Sequence, residues 1–107
     1  MHQLALTEGI YLILISMLTP RHGYAVMQNI EKLTNGRVTL GAGTLYGAIN
    51  NLLEKRWISA IGHGEESRKK EYVVTEQGKQ VLQLETLRLG ELLNIGLNEI
   101  GGLANEN

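Results

Sequence analysis

Apolar residues recur at helical spacing in three successive segments of the chain, and only then does a pair of β-rich segments follow. The first segment runs from Leu4 to Leu18 and is apolar on nearly all sides. The second covers about twelve residues from Tyr24, and the third runs from about Ala42 to Arg56. Spacings of three and four residues place such side chains on one face of a helix. The sequence therefore predicts three helices before any hairpin.

Residues at the ends of these segments are typical helix caps and breakers. Thr7 is placed to cap the first helix, with Glu8 in its first turn. Pro20 ends that helix, because proline cannot continue one. Gly36 is the expected left-handed cap of the second helix.

Two β-rich segments follow the third helix. Trp57–Gly62 and Lys69–Thr75 flank a polar turn, which is the pattern of a hairpin with a charged tip. A fourth helix is predicted from Thr75 to about Ile100, with the residues from Gly101 onward frayed. The chain thus divides into a domain of residues 1–75 and a helical extension of residues 76–107.

The fourth helix is apolar in two directions. At 100° per residue, one side carries a stripe within about 20° of its first member. This stripe consists of Leu82, Leu89, Leu93 and Ile100. The opposite side carries Leu84, Leu87 and Ile95. A helix that is apolar on two sides needs two partners, and a single small domain supplies only one.

Composition excludes several classes of site. Cysteine is absent, which removes disulfides, thiolate metal sites and cysteine nucleophiles. All eleven acidic residues are glutamate, and the three histidines lack metal-ligand spacing. The serines form no nucleophile motif, and the glycines at 41, 43 and 47 do not have dinucleotide-loop spacing. We therefore expect no cofactor, no metal and no enzymatic activity.

Charge and hydropathy indicate a cytoplasmic protein with a basic middle. The net charge is −1, but residues 20–74 carry +3 and residues 75–107 carry −3. The longest apolar run, Ile10–Leu18, is too short to span a membrane. No basic residue precedes this run and no small-residue cleavage site follows it, so we expect neither a signal peptide nor a membrane partner.

Five short motifs in order resemble the PadR family of bacterial transcriptional regulators, over roughly residues 4–100. They are His22-Gly23-Tyr24, Gly43-Thr44-Leu45-Tyr46, Leu52-Leu53-Glu54-Lys55, Arg68-Lys69-Lys70-Glu71-Tyr72 and Thr75-Glu76-Gln77-Gly78. The best match is the short subclass, which has a single C-terminal helix. The resemblance implies an α+β, mainly α fold: a winged helix-turn-helix with a long C-terminal dimerisation helix. It also implies a homodimeric repressor that binds a pseudo-palindromic double-stranded DNA operator.

The expected DNA contacts come from three places. The third helix turns its polar side outward, the wing carries a basic run, and the second helix begins at a site that attracts phosphate. The residues are Arg21, His22, Tyr24, Gly43, Thr44, Tyr46, Gly47, Asn50, Asn51, Arg68, Lys69 and Lys70. Each group also has an alternative role without DNA contact. The polar face of the third helix is then only solvated, Tyr46 packs in the fold, and Arg21 and His22 cap a helix. The basic run of the wing then only protects a sheet edge from aggregation.

The dimer centre is expected to lie between the first and fourth helices, where the subclass also holds any effector. The residues assigned to it are Tyr11, Leu82, Leu89, Leu93 and Ile100. Drug-binding members carry a stacking tryptophan where this chain has Leu89, so we expect packed aliphatic side chains without a drug-sized channel. An effector, if there is one, is of unknown identity.

The chain departs from the family pattern at the end of the third helix. Arg56-Trp57 stands where relatives carry an acidic residue and glycine, so the usual glycine stop is missing. Two other functions stay open at this point. One is a winged-helix protein-interaction module that does not bind DNA, and the other is an enzyme with a pocket in the dimer cleft.

Overall fold

The computed structural model describes residues 5–62 and 70–104, and within them the chain forms four helices and three short strands. The elements are α1 (Glu8–Ser16), β1 (Arg21–His22), α2 (Gly23–Leu33), α3 (Ala42–Glu54), β2 (Ile58–Ile61), β3 (Glu71–Val74) and α4 (Glu76–Ala104). We call the β2–β3 hairpin the wing. The order of elements confirms the expected winged-helix architecture with a long last helix. The predicted wing tip, which includes Arg68, lies outside the described residues, as does Lys69 at the predicted start of the second strand.

α1 is shorter than the predicted segment Leu4–Leu18. Its cap is the predicted one, because Thr7 Oγ1 accepts a hydrogen bond from the Ile10 amide at 3.2 Å. Residues 5–7 precede the helix and are not helical. Met17 is the C-cap, so the apolar residues on either side of α1 belong to its flanking segments. The hydrophobic pattern alone did not reveal the two ends of α1. The N-terminal end is set by the capping hydrogen bond of Thr7.

β1 is a strand that the sequence analysis did not predict. The segment was interpreted only as the break between two helices, but Arg21 pairs with Tyr72 and His22 pairs with Glu71. The sheet therefore has the order β1-β3-β2, with β2 and β3 antiparallel from the Ile58–Val74 pair to the Ile61–Glu71 pair. This pairing ties the base of the wing to the residue that precedes α2.

The core lies between the three domain helices, the wing and the first turns of α4. Its buried members are Ile13, Leu14, Met17, Val26, Ile30, Leu45, Ile49, Leu52, Ile58, Tyr72, Val74 and Leu82. The Val74 amide donates to the Met17 carbonyl at 2.9 Å, which fixes the wing to the end of α1. Because Leu82 is part of this core, the start of α4 is packed with the domain.

Three left-handed residues shape the ends of α2 and α3. Asn35 (φ 51°) and Gly36 (φ 80°) end α2, which confirms the predicted left-handed cap at Gly36 and extends it by one residue. At the end of α3, Arg56 has φ 62°, and the Trp57 amide donates to the Leu52 carbonyl at 3.1 Å. This is the same closing geometry, and arginine takes the place that glycine usually occupies.

We expect replacement of Arg56 by glycine to stabilise the protein by about 1 kcal/mol, because a Cβ at positive φ is strained. The free energy of unfolding, from urea titration, measures the change. Arg56→Ala removes the same charge but keeps a Cβ, so it should bring no gain. Equal gains in both variants would assign the effect to the arginine side chain instead of the backbone.

α4 is longer than predicted. In the structure the helix continues through Gly101 and Gly102 to Ala104, four residues past the predicted end, where fraying was expected. Two contacts hold its first part against α1 and the segment before it. Tyr11 Oη is 2.7 Å from Thr86 Oγ1, and Glu85, which is 1% exposed, accepts a hydrogen bond from the Leu6 amide at 3.0 Å.

Candidate nucleic-acid interface

The outer face of α3 is polar, exposed and almost uncharged. Leu45, Ile49 and Leu52 are buried on its inner face, as the periodicity predicted. Exposed on the other side are Gly43, Thr44, Gly47, Asn50 and Asn51. The helix carries one charge, Glu54, at its last residue. Base-reading side chains on this face would therefore lie at the beginning and middle of α3, ahead of that carboxylate.

Gly43 and Gly47 are not required by the fold of the chain itself. A Cβ at either position would meet no atom of the described residues within 4 Å, and neither residue has positive φ. Alanine is the better helix former at both positions. Glycine here keeps the outer surface of α3 flat, so that another molecule can approach the backbone closely.

Tyr46 packs against the start of α2. A Cβ on Gly23 would overlap the Tyr46 hydroxyl and lie 2.7 Å from its Cζ, so the Tyr46 ring takes the space that glycine leaves at position 23. Tyr46 also lies near the sheet: burial raises the pKa of Tyr72, and the neighbouring Tyr46 raises it further. The packing role that the sequence left open is therefore present, although 44% of Tyr46 stays exposed.

His22 connects the wing to α2. Its Nδ1 is 3.3 Å from the Lys70 carbonyl and its Nε2 is 3.7 Å from a Glu71 carboxylate oxygen. His22 is also the N-cap residue of α2, where its side chain makes no capping hydrogen bond. The start of α2 thus brings together His22 of β1, Tyr46 of α3 and Lys70, which directly precedes β3. Tyr24, in the first turn of α2, is 65% exposed.

Arg21 serves the fold directly. Its Nη1 donates to the Ser16 carbonyl at 2.5 Å, at the C-terminal end of α1, and its backbone pairs with Tyr72. Cations are favourable at that end of a helix, because the unpaired carbonyls carry partial negative charge. The capping alternative for Arg21 is therefore realised at α1 instead of α2.

A further cation, in the linker that leads to α3, was not among the predicted site residues. Arg37, in the linker between α2 and α3, pairs with Glu8 of α1, and its Nη1 donates to Glu8 Oε1 at 3.2 Å. The hydrogen bonds from Arg37 hold the pKa of Glu8 below its usual value. Both side chains are more than half exposed, so water screens this pair. No sequence spacing signals it, since 29 residues separate the partners.

The residues predicted for the dimer centre divide into two groups. Leu89, Leu93 and Ile100 are 40%, 61% and 67% exposed, whereas Leu82 is only 5% exposed and belongs to the core of its own chain. Tyr11 is half-buried, and its hydroxyl bonds to Thr86. Leu82 therefore differs from the other members of the predicted stripe, because α4 leaves the domain between Leu82 and Leu89.

An apolar groove of about 540 Å³ runs between α1 and α4. It is lined by Ile15, Leu18, Lys79, Leu82, Gln83, Thr86 and Leu87. Leu89, the position matched to a stacking tryptophan, is not part of its lining. Among the residues that the structure describes, no helix is long and apolar enough to cross a membrane, and no group of three or more His or Glu side chains could hold a metal ion.

Comparison with known proteins gives a family and a fold. The sequence model of the transcriptional regulator PadR-like family matches residues 12–84. The transcriptional regulator YqjI of Escherichia coli is 39% identical over 62 residues, which are 58% of this chain and 29% of that protein. The chain thus spans less than a third of this curated relative's length.

Solved structures share the architecture at low sequence identity. A PadR family transcription regulator from Clostridium difficile has a TM-score of 0.64 at 22% identity, covering 85% of this chain and 96% of that one. The PcaV transcriptional regulator from Streptomyces coelicolor, solved with its natural ligand, has a TM-score of 0.69 at 14% identity, covering 88% and 62%. At these identities the likeness supports the winged-helix fold alone.

Proposed function

Because the chain belongs to the PadR-like family of transcriptional regulators, we propose that it is a dimeric DNA-binding repressor. In this proposal α3 enters the major groove of a pseudo-palindromic operator and the wing contacts the flanking backbone. The members of the family are transcriptional regulators and not enzymes. A soluble location in the cytoplasm, where the operator is, belongs to the same proposal.

The observation that carries the DNA proposal is the outer face of α3. It exposes Asn50, which can pair bidentately with adenine, beside two glycines that the fold does not need. Flat backbone at Gly43 and Gly47 lets the helix lie deep in a groove. In helix-turn-helix proteins the first residues of the recognition helix contact base edges. The position of Glu54 at the far end of α3 suits that arrangement, since its carboxylate avoids the phosphates.

Phosphate contacts would come from the surroundings of the α2 N-terminus. The first backbone N–H groups of a helix have no intrahelical partner and favour an anion. His22 leaves these groups without a side-chain cap, and Lys70 is held nearby through its carbonyl. The predicted contacts at Arg68 and Lys69 stay predictions, since both residues lie outside the described part of the chain.

The dimer proposal rests on the exposed stripe of α4. Leu89, Leu93 and Ile100 have no partner within the described residues of the chain, and the α1–α4 groove is apolar. A twofold dimer buries the same surfaces on both subunits. We therefore propose residues 76–107 as the dimerisation segment and residues 1–75 as the DNA-binding domain.

Binding to duplex DNA at several salt concentrations tests the proposal. The specific duplex is obtained by repeated selection from a randomised pool. Lys70→Ala should reduce the log–log salt slope by roughly one unit on every duplex, because one phosphate contact is lost. Asn50→Ala should cost about 1–3 kcal/mol on the selected duplex only.

Lys32→Ala is the matched control, because it removes the same charge from the last turn of α2, at the opposite end of that helix from the proposed phosphate contacts, and should leave the slope unchanged. An unchanged slope in Lys70→Ala would remove the wing base from the interface. Failure of the pool to enrich any sequence would favour the protein-interaction alternative over DNA binding.

A further inference from the structure

The second half of α4 extends beyond the domain without contacts that could hold it. We call residues 89–104 the arm. Between Leu82 and Arg88 the helix is anchored by buried Leu82 and Glu85, but no side chain is buried among the described residues from 89 to 103. The arm therefore receives no tertiary stabilisation from its own chain.

The arm is also a poor helix former. Four of its residues are glycine, at positions 90, 96, 101 and 102, and two are asparagine. Each glycine lowers the helix–coil equilibrium by a factor of about 4 to 5 relative to alanine. The arm contains Glu91 and Glu99 but no Lys or Arg, so it has neither ion pairs along the helix nor a cation at its C-terminal end. Most helical stability in proteins comes from packing of an apolar face, which the arm lacks within its own chain.

The arm nevertheless carries a continuous apolar stripe. At 100° per residue, Leu89, Leu93 and Ile100 fall on the face of α4 that holds Leu82 against the domain. Leu92, Gly96 and Leu103 widen the same stripe. The face that packs on the domain in the first half of α4 is thus repeated in the arm, where nothing in the described chain covers it.

A second copy of the chain is the occupant that fits this stripe. Each copy has one uncovered apolar arm and one open apolar groove, lined by Ile15, Leu18, Leu82 and Leu87. The charge of the groove suits the arm as well, because the arm carries only acidic side chains and the charged residue in the groove lining is Lys79, whose Nζ is 3.9 Å from the exposed Glu76 carboxylate of its own helix. Under a twofold axis both surfaces of both copies are satisfied at once.

We infer that the arm is helical only when two chains pair, so that folding of the arm and dimerisation are a single event. This inference rests on the dimer of the proposed function and adds a mechanism to it. The free energy of pairing must include the cost of folding two arms. Helix propensity at exposed arm positions therefore changes the dimer dissociation constant, although those positions do not contact the partner.

Gly90 and Gly101 are the positions that test this coupling. Both lie more than about 100° from the middle of the stripe. A Cβ at either would meet no atom of the described chain within 4 Å. Gly90→Ala and Gly101→Ala thus alter helix propensity without filling any contact. We expect each to lower the dimer Kd by about 20-fold in sedimentation equilibrium, since both chains contribute a factor of about 4 to 5.

Gly9→Ala is the matched control. Gly9 lies in α1, where a Cβ would have only an ordinary contact with Leu40 at 3.9 Å, on the other side of α1 from Leu18. α1 is packed in the core with or without a partner, so this variant should leave the dimer Kd unchanged.

Circular dichroism supplies a second measurement. Helical signal should fall as the wild type is diluted through its dimer Kd. Leu93→Lys, which puts a charge in the stripe, should be monomeric and lose the signal of the sixteen arm residues, 89–104. Unchanged Kd values in both alanine variants, or a monomeric Leu93→Lys protein with full helical signal, would overturn the coupling and leave the dimer standing. A monomeric wild type at micromolar concentration would instead refute the dimer itself.

Discussion

Gly78→Ala should destabilise the protein by about 3 kcal/mol, although alanine is the better helix former. Gly78 is buried in the first turn of α4, and a Cβ there would overlap the Trp57 carbonyl oxygen and lie 2.8 Å from Val74 Cγ1. The obstruction is backbone, which cannot rotate away as a flexible side chain can. Relief requires a shift of α4 against the hairpin.

Urea titration of Gly78→Ala beside Gly9→Ala checks this result. Gly9 also lies in the first turn of a helix, but the nearest atom to its Cβ is 3.9 Å away. We expect Gly9→Ala to be neutral or stabilising by up to about 1 kcal/mol. Similar stabilities for the two variants would mean that the Trp57–Gly78 contact relaxes at little cost.

The second large effect is expected at Glu85, and Glu85→Gln should cost about 2 kcal/mol. The Glu85 carboxylate is 1% exposed and accepts two hydrogen bonds from Arg88 at 2.7 Å and one from the Leu6 amide. A glutamine has only one acceptor oxygen, so its amide nitrogen must face a donor. The exposed Glu8–Arg37 pair provides the control, because Glu8→Gln should change the free energy of unfolding little.

The same carboxylate predicts a dependence on pH. Hydrogen bonds from Arg88, and more weakly from the Leu6 amide, hold the pKa of Glu85 below its usual value of 4.5 despite burial. A carboxylate with a lowered pKa in the folded protein stabilises it above the unfolded-state pKa, and this contribution is lost as the pH falls through the folded value. Wild type should therefore lose stability below about pH 4.5 more steeply than Glu85→Gln, in urea titrations at matched ionic strength. Parallel acid profiles would exclude Glu85 as a source of acid sensitivity.

Sequence predicted the elements of this fold better than the contacts between them. Leu45, Ile49 and Leu52 show helical spacing strongly enough to place α3, and Thr7 shows where α1 begins. β1 has only two residues and pairs with β3 some 50 residues later, so no local periodicity marks it. Arg56 takes a left-handed conformation because the helix end and the hairpin impose it, and its residue type favours no such conformation.

The candidate site was predictable where it depends on a single helix. The outward face of α3 follows from its inner face, whereas the position of Arg21 depends on the Ser16 carbonyl of another element. Glu85 resembles a surface carboxylate in sequence, since its partner Leu6 is 79 residues away. Leu82 was assigned to the dimer stripe because periodicity does not reveal where a helix leaves its domain. Contacts with other elements of the fold decide these three positions.

The close contact at Gly78 also restricts the angle at which α4 leaves the domain. With 29 residues, α4 is about 44 Å long. A tilt of about 10° at Gly78 would move its far end by roughly 7 Å, about a fifth of the spacing of about 34 Å between DNA half-sites one helical turn apart. Because the Trp57 carbonyl oxygen leaves room for only a hydrogen atom on the Gly78 Cα, that tilt is strongly restricted. In a dimer joined through the far ends of two such helices, the fixed angle at Gly78 would restrict the two DNA-binding domains to one separation of half-sites.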